Sequence, residues 1–113
     1  MSLSEKLFSF EGRINRTNYW VISIVNVFVY LIVLAFLIPL GDSTIVSVLT
    51  FVCASLFGGI SLSLQVKRWH DRDKSGWWCL IGLIPFIGGL WTLIELGFLA
   101  GTPGMNSYGR PPA

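Results

Sequence analysis

The residues of this chain that could do chemistry are gathered in one short stretch, "KRWHDRDKSGWW" (67–78). Six of the 14 formally charged residues (8 basic, 6 acidic) and the only histidine lie between Lys67 and Lys74. His70 and Asp71 could serve as a base and its partner, but sequence neighbours are poorly placed for one side chain to orient the other. No nucleophile motif accompanies them. We therefore favour a non-enzymatic role, and a membrane-embedded enzyme using His70 and Asp71 on a lipid is the alternative.

A metal centre is not expected in this chain. One histidine and the nearby carboxylates of Asp71 and Asp73 supply too few ligands for zinc. Cys53 and Cys79 are isolated from each other and from these residues, so we interpret both as small apolar packing residues. The sequence therefore predicts no metal and no cofactor.

The cations of the stretch, together with those of the N-terminal arm, are suited to binding an anion. Arginine forks match phosphate geometry, and basic residues beside a membrane attract anionic lipids. We expect a basic collar that binds an anionic phospholipid headgroup or the acidic surface of a partner protein. The alternative is that these side chains only anchor the protein at the membrane surface. The predicted binding residues are Arg13, Arg16, Lys67, Arg68, His70, Asp71, Arg72 and Lys74.

Two aspartates interleave with these cations and do not help to orient a membrane protein. Asp71 or Asp73 is predicted to accept a hydrogen bond from Arg13 or Arg16 of the arm. Asn15 or Thr17 offers an N-terminal cap for a helix that begins beside Arg16. Such a cap would bring both arginines to the same interface as the stretch.

The elements that carry these residues are set by an unusual composition. The chain of 113 residues is 53% hydrophobic and only 12% charged, too few charges to cover a soluble domain of this size. Segments 19–40 and 45–66 are each 22 residues without a formal charge, and 76–100 carries only Glu95. Helices of about 33 Å would cross a hydrocarbon core of about 30 Å. The net charge of +2 argues against nucleic-acid binding.

The predicted fold is a single all-α integral membrane domain, 1–113, with three transmembrane helices. An interfacial arm (1–18) precedes spans 19–40 and 45–66, and a basic loop (67–75) leads to span 76–100 and a Gly/Pro-rich tail (101–113). Pro85 is expected to kink the third span. The alternative is a re-entrant hairpin at Pro85 that returns the tail to the side of the arm.

The distribution of basic residues predicts the orientation of the chain. With the N-terminus inside, seven Lys and Arg residues are cytoplasmic, and only Arg110 is external if the third segment crosses the membrane. We therefore expect a multi-pass protein with a cytoplasmic N-terminus. The tail, "AGTPGMNSYGRPPA", is built from turn formers and is expected to be an irregular cap. Its alternative is a folded lid in which Asn106 and Tyr108 contact headgroups or the loops.

Span 45–66 is rich in small residues, which permit close approach between membrane helices. We expect it to be the central helix, although the same surface could instead join a homo-oligomer or a membrane-protein partner. Asn26 is expected to hydrogen-bond across a helix interface. A subunit of an oligomeric transporter is a further alternative, because Asn26 and Glu95 are polar groups within the spans.

Three blocks together resemble the domain-of-unknown-function 805 family of small bacterial inner-membrane proteins: "GRINRTNYW" (12–20), "KRWHDRDKSGWW" (67–78) and "GTPGMNSYG" (101–109). The resemblance runs from Leu7 to Pro112 and implies a bacterial cytoplasmic-membrane location and an all-helical fold, but no reaction. Family members often carry Gly where this chain has Asp73 and Leu where it has Trp69. The matching positions are Gly12, Arg13, Arg16, Tyr19, Trp20, Arg68, His70, Asp71, Ser75, Gly76, Trp77, Trp78, Gly101, Pro103, Gly104, Asn106, Tyr108 and Gly109.

Overall fold

A computed structural model describes residues 3–112, and these form helices joined by short loops, with no β-strand among them. The first two residues of the predicted arm and the last residue of the predicted tail lie outside the described part. The helices are α1 (Leu3–Phe8), α2 (Arg16–Leu37), α3 (Thr44–Asp71) and α4 (Ile87–Thr92). 3₁₀ helices cover Ile38–Leu40 and Gly76–Leu83, and a π-helix, Leu93–Phe98, continues α4.

Two helices, Arg16–Leu40 and Thr44–Asp71, are long and apolar enough to cross a membrane. They contain the predicted spans 19–40 and 45–66. α2 begins where the sequence predicts, because the side chain of Asn15 accepts a hydrogen bond from the backbone N–H of Asn18 at 2.8 Å. α3 is longer than expected. It continues to Asp71, so the predicted loop 67–75 is helical over its first five residues.

α3 is the central helix, as predicted, since it contacts α1, α2 and the segments on either side of Pro85. Its interface with α2 contains Asn26, whose side-chain amide donates to the carbonyl of Phe57 at 3.1 Å and to the hydroxyl of Ser61 at 3.0 Å. The expected hydrogen bond across a helix interface is therefore confirmed. The small residues of α3 do not all serve this packing, because the space around the Cα atoms of Gly58 and Gly59 is open.

The third apolar segment, 76–98, is a hairpin of two limbs. Its first limb is the 3₁₀ helix Gly76–Leu83, and its second limb is Ile87–Phe98. The chain reverses at Pro85 and Phe86, where Phe86 has a φ of +63°. The limbs are in direct backbone contact at Gly88, because a Cβ atom built there would lie 1.9 Å from the carbonyl oxygen of Ile81.

The prediction of one kinked span over 76–100 is therefore wrong, and the hairpin alternative is the arrangement found. Pro85 removes a backbone donor at the turn, and Gly88 has no side chain to keep the limbs apart. The turn is closed by hydrogen bonds from Ile87 N–H to the Pro85 carbonyl at 2.7 Å and from Gly88 N–H to the Ile84 carbonyl at 3.0 Å. Within residues 3–112, two helices have the length and composition that a membrane span requires, and the third predicted span is not one of them.

Candidate binding site at the polar end

The hairpin returns the tail to the arm and to the end of α3, and these parts together form what we call the polar end (residues 3–16, 67–75 and 96–112). Ile14 anchors the arm in a small hydrophobic core with Ile60 and Leu64 of α3. The backbone N–H of Thr102 donates to the carbonyl of Asp71 at 2.7 Å, so the tail is held against α3. The eight predicted binding residues therefore all belong to one structural unit.

Asp71 is the centre of the polar end. Its carboxylate accepts from Arg13 at 2.9 Å and from Arg68, one turn earlier in α3, and all three side chains are buried. The predicted pairing of Asp71 with the arm is confirmed, and Arg68 is an additional partner. Gly101 packs against the same carboxylate, since a Cβ atom there would lie 2.0 Å from Oδ2. A side chain at position 101 would displace the charge that holds the two arginines.

Arg13 extends the network into the tail. Its guanidinium donates to the carbonyl of Gly104 at 2.7 Å, to that of Gly109 at 3.2 Å, and to that of Thr102. Asp71 is thus a counter-charge that Arg13 shares with Arg68, and three tail carbonyls accept the other hydrogen bonds of Arg13. The tail is the folded lid that the sequence offered as the second interpretation, not the irregular cap.

Side chains from the start of α2 and the end of α3 cap the second limb of the hairpin. The last carbonyls of a helix have no partner within it and carry partial negative charge, so cations and N–H donors stabilise them. Here five consecutive carbonyls accept from such groups. They are those of Leu96 and Leu99 (from Arg68), Gly97 (from Trp20), Phe98 (from Arg16) and Ala100 (from Arg72).

A second charged cluster joins the end of α3 to the hairpin through Glu95. Its carboxylate accepts from Arg72 at 2.6 Å, from Lys74 at 2.8 Å and from the Trp91 ring N–H at 3.2 Å. The ammonium of Lys74 also lies 4.7 Å from the ring centre of Trp78. Glu95 is buried and paired with two cations, so its carboxylate joins the end of α3 to the second limb of the hairpin.

The predicted collar of exposed cations is largely internal. The exposed fractions of Arg13, Lys67 and Arg68 are 4%, 0% and 0%. Each of these side chains donates hydrogen bonds to other groups of the protein. Lys67 donates to the carbonyls of Glu5 at 2.7 Å and of Lys6, which fastens α1 to α3. Of the predicted cations, only Arg16 is exposed. That these residues bind an external ligand stays a prediction.

His70 is enclosed by the arm and the tail. Its Nδ1 lies 2.9 Å from the carbonyl of Gly12, and its ring stacks on Tyr108 with centroids 4.0 Å apart. Asn106 donates to the His70 carbonyl at 2.9 Å. Because the Gly12 carbonyl can only accept, Nδ1 of His70 is the donor of this bond. The ring is not paired with the Asp71 carboxylate, which accepts from Arg13 and Arg68.

Asp73 takes no part in the arginine network. It has a φ of +58°, a left-handed conformation that glycine adopts freely, and its carboxylate accepts from the backbone N–H of Ser107 at 3.1 Å. Glycine would adopt this conformation without strain. Within residues 3–112, no three His, Cys, Asp or Glu side chains are grouped as a metal site.

A cavity of about 490 Å³ lies between the arm and the tail. Cationic side chains line it from both elements, and no carboxylate is among its lining residues. Within residues 3–112, neither Lys6 nor Arg110 forms an ion pair, whereas Arg13 shares the carboxylate of Asp71 with Arg68. The side chains that give the cavity its polar character are Lys6, Arg13, Asn18, Tyr108 and Arg110.

Of these five residues, only Arg13 is among the predicted binding residues, although the lid alternative has Tyr108 in contact with headgroups or the loops. Lys6 and Arg110 were considered only for membrane orientation, and Asn18 was only part of a matching block. Tyr108 had a signal, since it stands in the tail block "GTPGMNSYG". The sequence does not show that the tail returns to the arm, and only this return brings residues 6 and 110 to the same cavity.

The chain can now be compared with known proteins. The sequence model of a family described as "Protein of unknown function (DUF805)" matches residues 7–110. The chain belongs to this family. The expectation drawn from the three blocks is confirmed.

Three relatives from Escherichia coli (strain K12) cover nearly all of the chain. It is 36% identical over 110 residues to "Inner membrane protein YhaH", covering 91% of this chain and 86% of that protein. It is 32% identical over 113 residues to "Inner membrane protein YhaI", with coverages of 99% and 92%, and 26% identical over 135 residues to "Uncharacterized protein YiiR", with coverages of 97% and 90%. No solved structure matches. The inner-membrane relatives and the two apolar helices support the predicted membrane character.

Proposed function

We propose that this protein is a multi-pass inner-membrane binding module that holds an anionic phospholipid headgroup at the cytoplasmic face. The observation that carries the proposal is the cavity of about 490 Å³ between arm and tail, with three cations and no carboxylate in its lining. Its volume lies within the range of about 300–1,000 Å³ that is usual for small-ligand sites. The role is non-enzymatic, since His70 and Asp71, the candidate catalytic residues, are engaged in contacts within the protein.

The proposed orientation has α2 and α3 crossing the membrane and the polar end in the cytoplasm. Because the hairpin brings Arg110 back beside the arm, all 8 Lys and Arg residues belong to the polar end. The connection between α2 and α3, residues 41–43, contains Asp42 and no cation. Basic residues in short flanking segments favour the cytoplasmic side, so the N-terminus and the tail are both inside.

The two cations without an ion pair among the described residues give the cavity its charge preference. Lys6 supplies a compact ammonium and Arg110 a planar fork, and both are suited to phosphate oxygens. The amide of Asn18 and the hydroxyl of Tyr108 can hydrogen-bond to headgroup hydroxyls. The guanidinium of Arg13 lines the cavity but donates its hydrogen bonds to Asp71 and to tail carbonyls, so Lys6 and Arg110 are the cations with donors for a ligand.

The surface of α2 offers an apolar path for the acyl chains of a lipid whose headgroup lies in the cavity. Asn18 lines the cavity, and Val21 and Val25 follow it on the same face of the helix at spacings of three and seven residues. Both valines are exposed to the surroundings of the protein. A phospholipid can therefore place its phosphate among the cations while its chains stay in the hydrocarbon core. This path favours a lipid over the acidic surface of a partner protein.

The proposal is tested by measuring lipid binding to the purified protein. Native mass spectrometry would compare phosphatidylglycerol with phosphatidylcholine of the same chains, for the wild type and for Lys6→Gln combined with Arg110→Gln. A basic residue near a membrane surface contributes about 1 kcal/mol. The double variant should therefore lose about 2 kcal/mol, or about 30-fold in affinity for phosphatidylglycerol. Its affinity for phosphatidylcholine should be unchanged.

Arg16→Gln is the matched control, because it removes an exposed cation of the polar end that does not line the cavity. It should retain most of the preference for phosphatidylglycerol. A loss of about 1 kcal/mol in the control, which is the same loss per cation as in the double variant, would refute a defined site and leave only diffuse surface charge. A wild-type protein without preference between the two lipids would refute the proposal itself.

A further inference from the structure

The hairpin has the length of half a bilayer. The first limb has 8 residues, which at about 2.0 Å per residue reach about 16 Å. The second limb, Ile87–Phe98, has 12 residues in two six-residue parts, which at about 1.5 Å per residue reach about 18 Å. Half of a hydrocarbon core is about 15 Å. Limbs that start at the polar end therefore turn back near the middle of the membrane.

The surface of the turn fits this depth. The exposed fractions of Phe86 and Leu83 are 94% and 78%, and Ile87 beside them is also exposed. A cluster of large apolar side chains at the tip is costly in water and favourable in lipid tails. At the other end of the hairpin the exposed rings of Trp77 and Trp78 lie beside the polar end, where amphipathic rings mark the level of the headgroups.

The hairpin is fixed in this position by its base. The carbonyls of residues 96–100 are held by Arg16, Trp20, Arg68 and Arg72, and Glu95 is held by Lys74 as well as by Arg72. The first limb is fixed too, because Trp78 packs on the buried Trp69 of α3 with ring centroids 5.8 Å apart. The tip therefore cannot leave the membrane without breaking charged contacts at the base.

From this geometry we infer that the hairpin is a wedge in one leaflet, and that the protein prefers membrane that is convex on the side of its polar end. Four helical segments occupy the leaflet next to the polar end, and only α2 and α3 continue into the other. With a helix diameter of about 10 Å, the two limbs add about 160 Å² to the cross-section of one leaflet. Convex curvature expands that leaflet and accommodates the extra area.

The preference depends on the shape of the protein and not on the charge of the lipid. It is therefore independent of the headgroup site in the cavity, and it holds in neutral membranes. It does require the arrangement in which α2 and α3 cross the bilayer. Its sign is fixed relative to the polar end, so that the same protein inserted in the opposite orientation must show the opposite preference.

The test uses the full chain, with a fluorescent protein fused to the tail, in giant vesicles of phosphatidylcholine from which narrow membrane tubes are pulled. The outside of such a tube is convex. The ratio of protein density in the tube to that in the parent vesicle is compared with the same ratio for a lipid dye. Added protease removes fusions on the outside, so the two orientations can be measured separately.

Molecules with the polar end outside should be enriched in the tube relative to the dye, and molecules with the polar end inside should be depleted. Equal ratios in the two orientations, or an enrichment that does not reverse with orientation, would overturn the inference. Leu83→Asn combined with Phe86→Asn places polar groups at the tip and should abolish the enrichment. Phe36→Asn combined with Leu40→Asn, a similar change at the far end of α2, should keep it. If the hairpin variant does not fold, the comparison of orientations in the wild type decides alone.

Discussion

Replacing Asp71 by Asn should destabilise the protein more than any other single removal of charge at the polar end. The change keeps the size of the side chain but removes the negative charge between two buried guanidinium groups. The amide oxygen of Asn can still accept from Arg13 at the position of Oδ1. The amide NH₂ then replaces Oδ2, so an N–H donor faces the N–H donors of Arg68. Flipping the amide only exchanges the two arginines.

The size of the effect follows from the burial of the partners. Removing one member of a buried ion pair costs about 3–5 kcal/mol, because the remaining charge is left without compensation. Here two cations lose their counter-charge, but Arg13 retains three tail carbonyls and Arg68 retains those of Leu96 and Leu99. These contacts place the expected loss near the lower end, at about 3 kcal/mol.

The measurement is the free energy of unfolding in mixed micelles, followed by tryptophan fluorescence as the denaturing detergent is increased. Asp73→Asn is the control, because Asp73 is exposed and accepts one hydrogen bond from Ser107. Asn also tolerates the left-handed conformation of position 73. The control should lose less than about 1 kcal/mol. If Asp71→Asn lost no more than the control, Asp71 would not be the centre of the network.

Two further predictions concern the hairpin. Gly88→Ala should lower the free energy of unfolding by about 1–3 kcal/mol in the same titration, since its Cβ would lie 1.9 Å from the Ile81 carbonyl oxygen. The control Gly89→Ala has open space around its Cβ and should be neutral or stabilising. Equal effects of the two changes would contradict the contact between the limbs. Reporters fused after Pro112 should be active only in their cytoplasmic form, as at the N-terminus, and periplasmic activity of the tail fusion would contradict the two-span topology.

Much of the fold could be predicted because lipid imposes a simple rule on sequence. A helix that crosses a bilayer must be apolar over about 20 residues, and that pattern located α2 and α3 within a few residues. The cap at Asn15 and the pairing of Asp71 with Arg13 were also predictable, since each depends on a side chain whose partners are few.

The rest of the polar end could not be predicted, because its main acceptors are backbone carbonyls. Every residue carries a carbonyl, so nothing in the sequence marks Leu96 or Gly104 as a partner for an arginine. The cations therefore resembled an exposed collar. The hairpin was equally hidden: Pro85 is compatible with a kink or a reversal, and the contact that distinguishes them, Gly88 against Ile81, is visible only in three dimensions.

The carbonyls of residues 96–109 impose an order on how the protein is made. A ribosome delivers the chain from its N-terminus, so Arg13 and Arg68 emerge long before their tail acceptors. Until residues 96–109 have emerged, the hydrogen bonds of these two arginines to the carbonyls of that segment cannot form. A chain truncated after residue 95 would therefore keep its two long helices but lack these acceptors at the polar end.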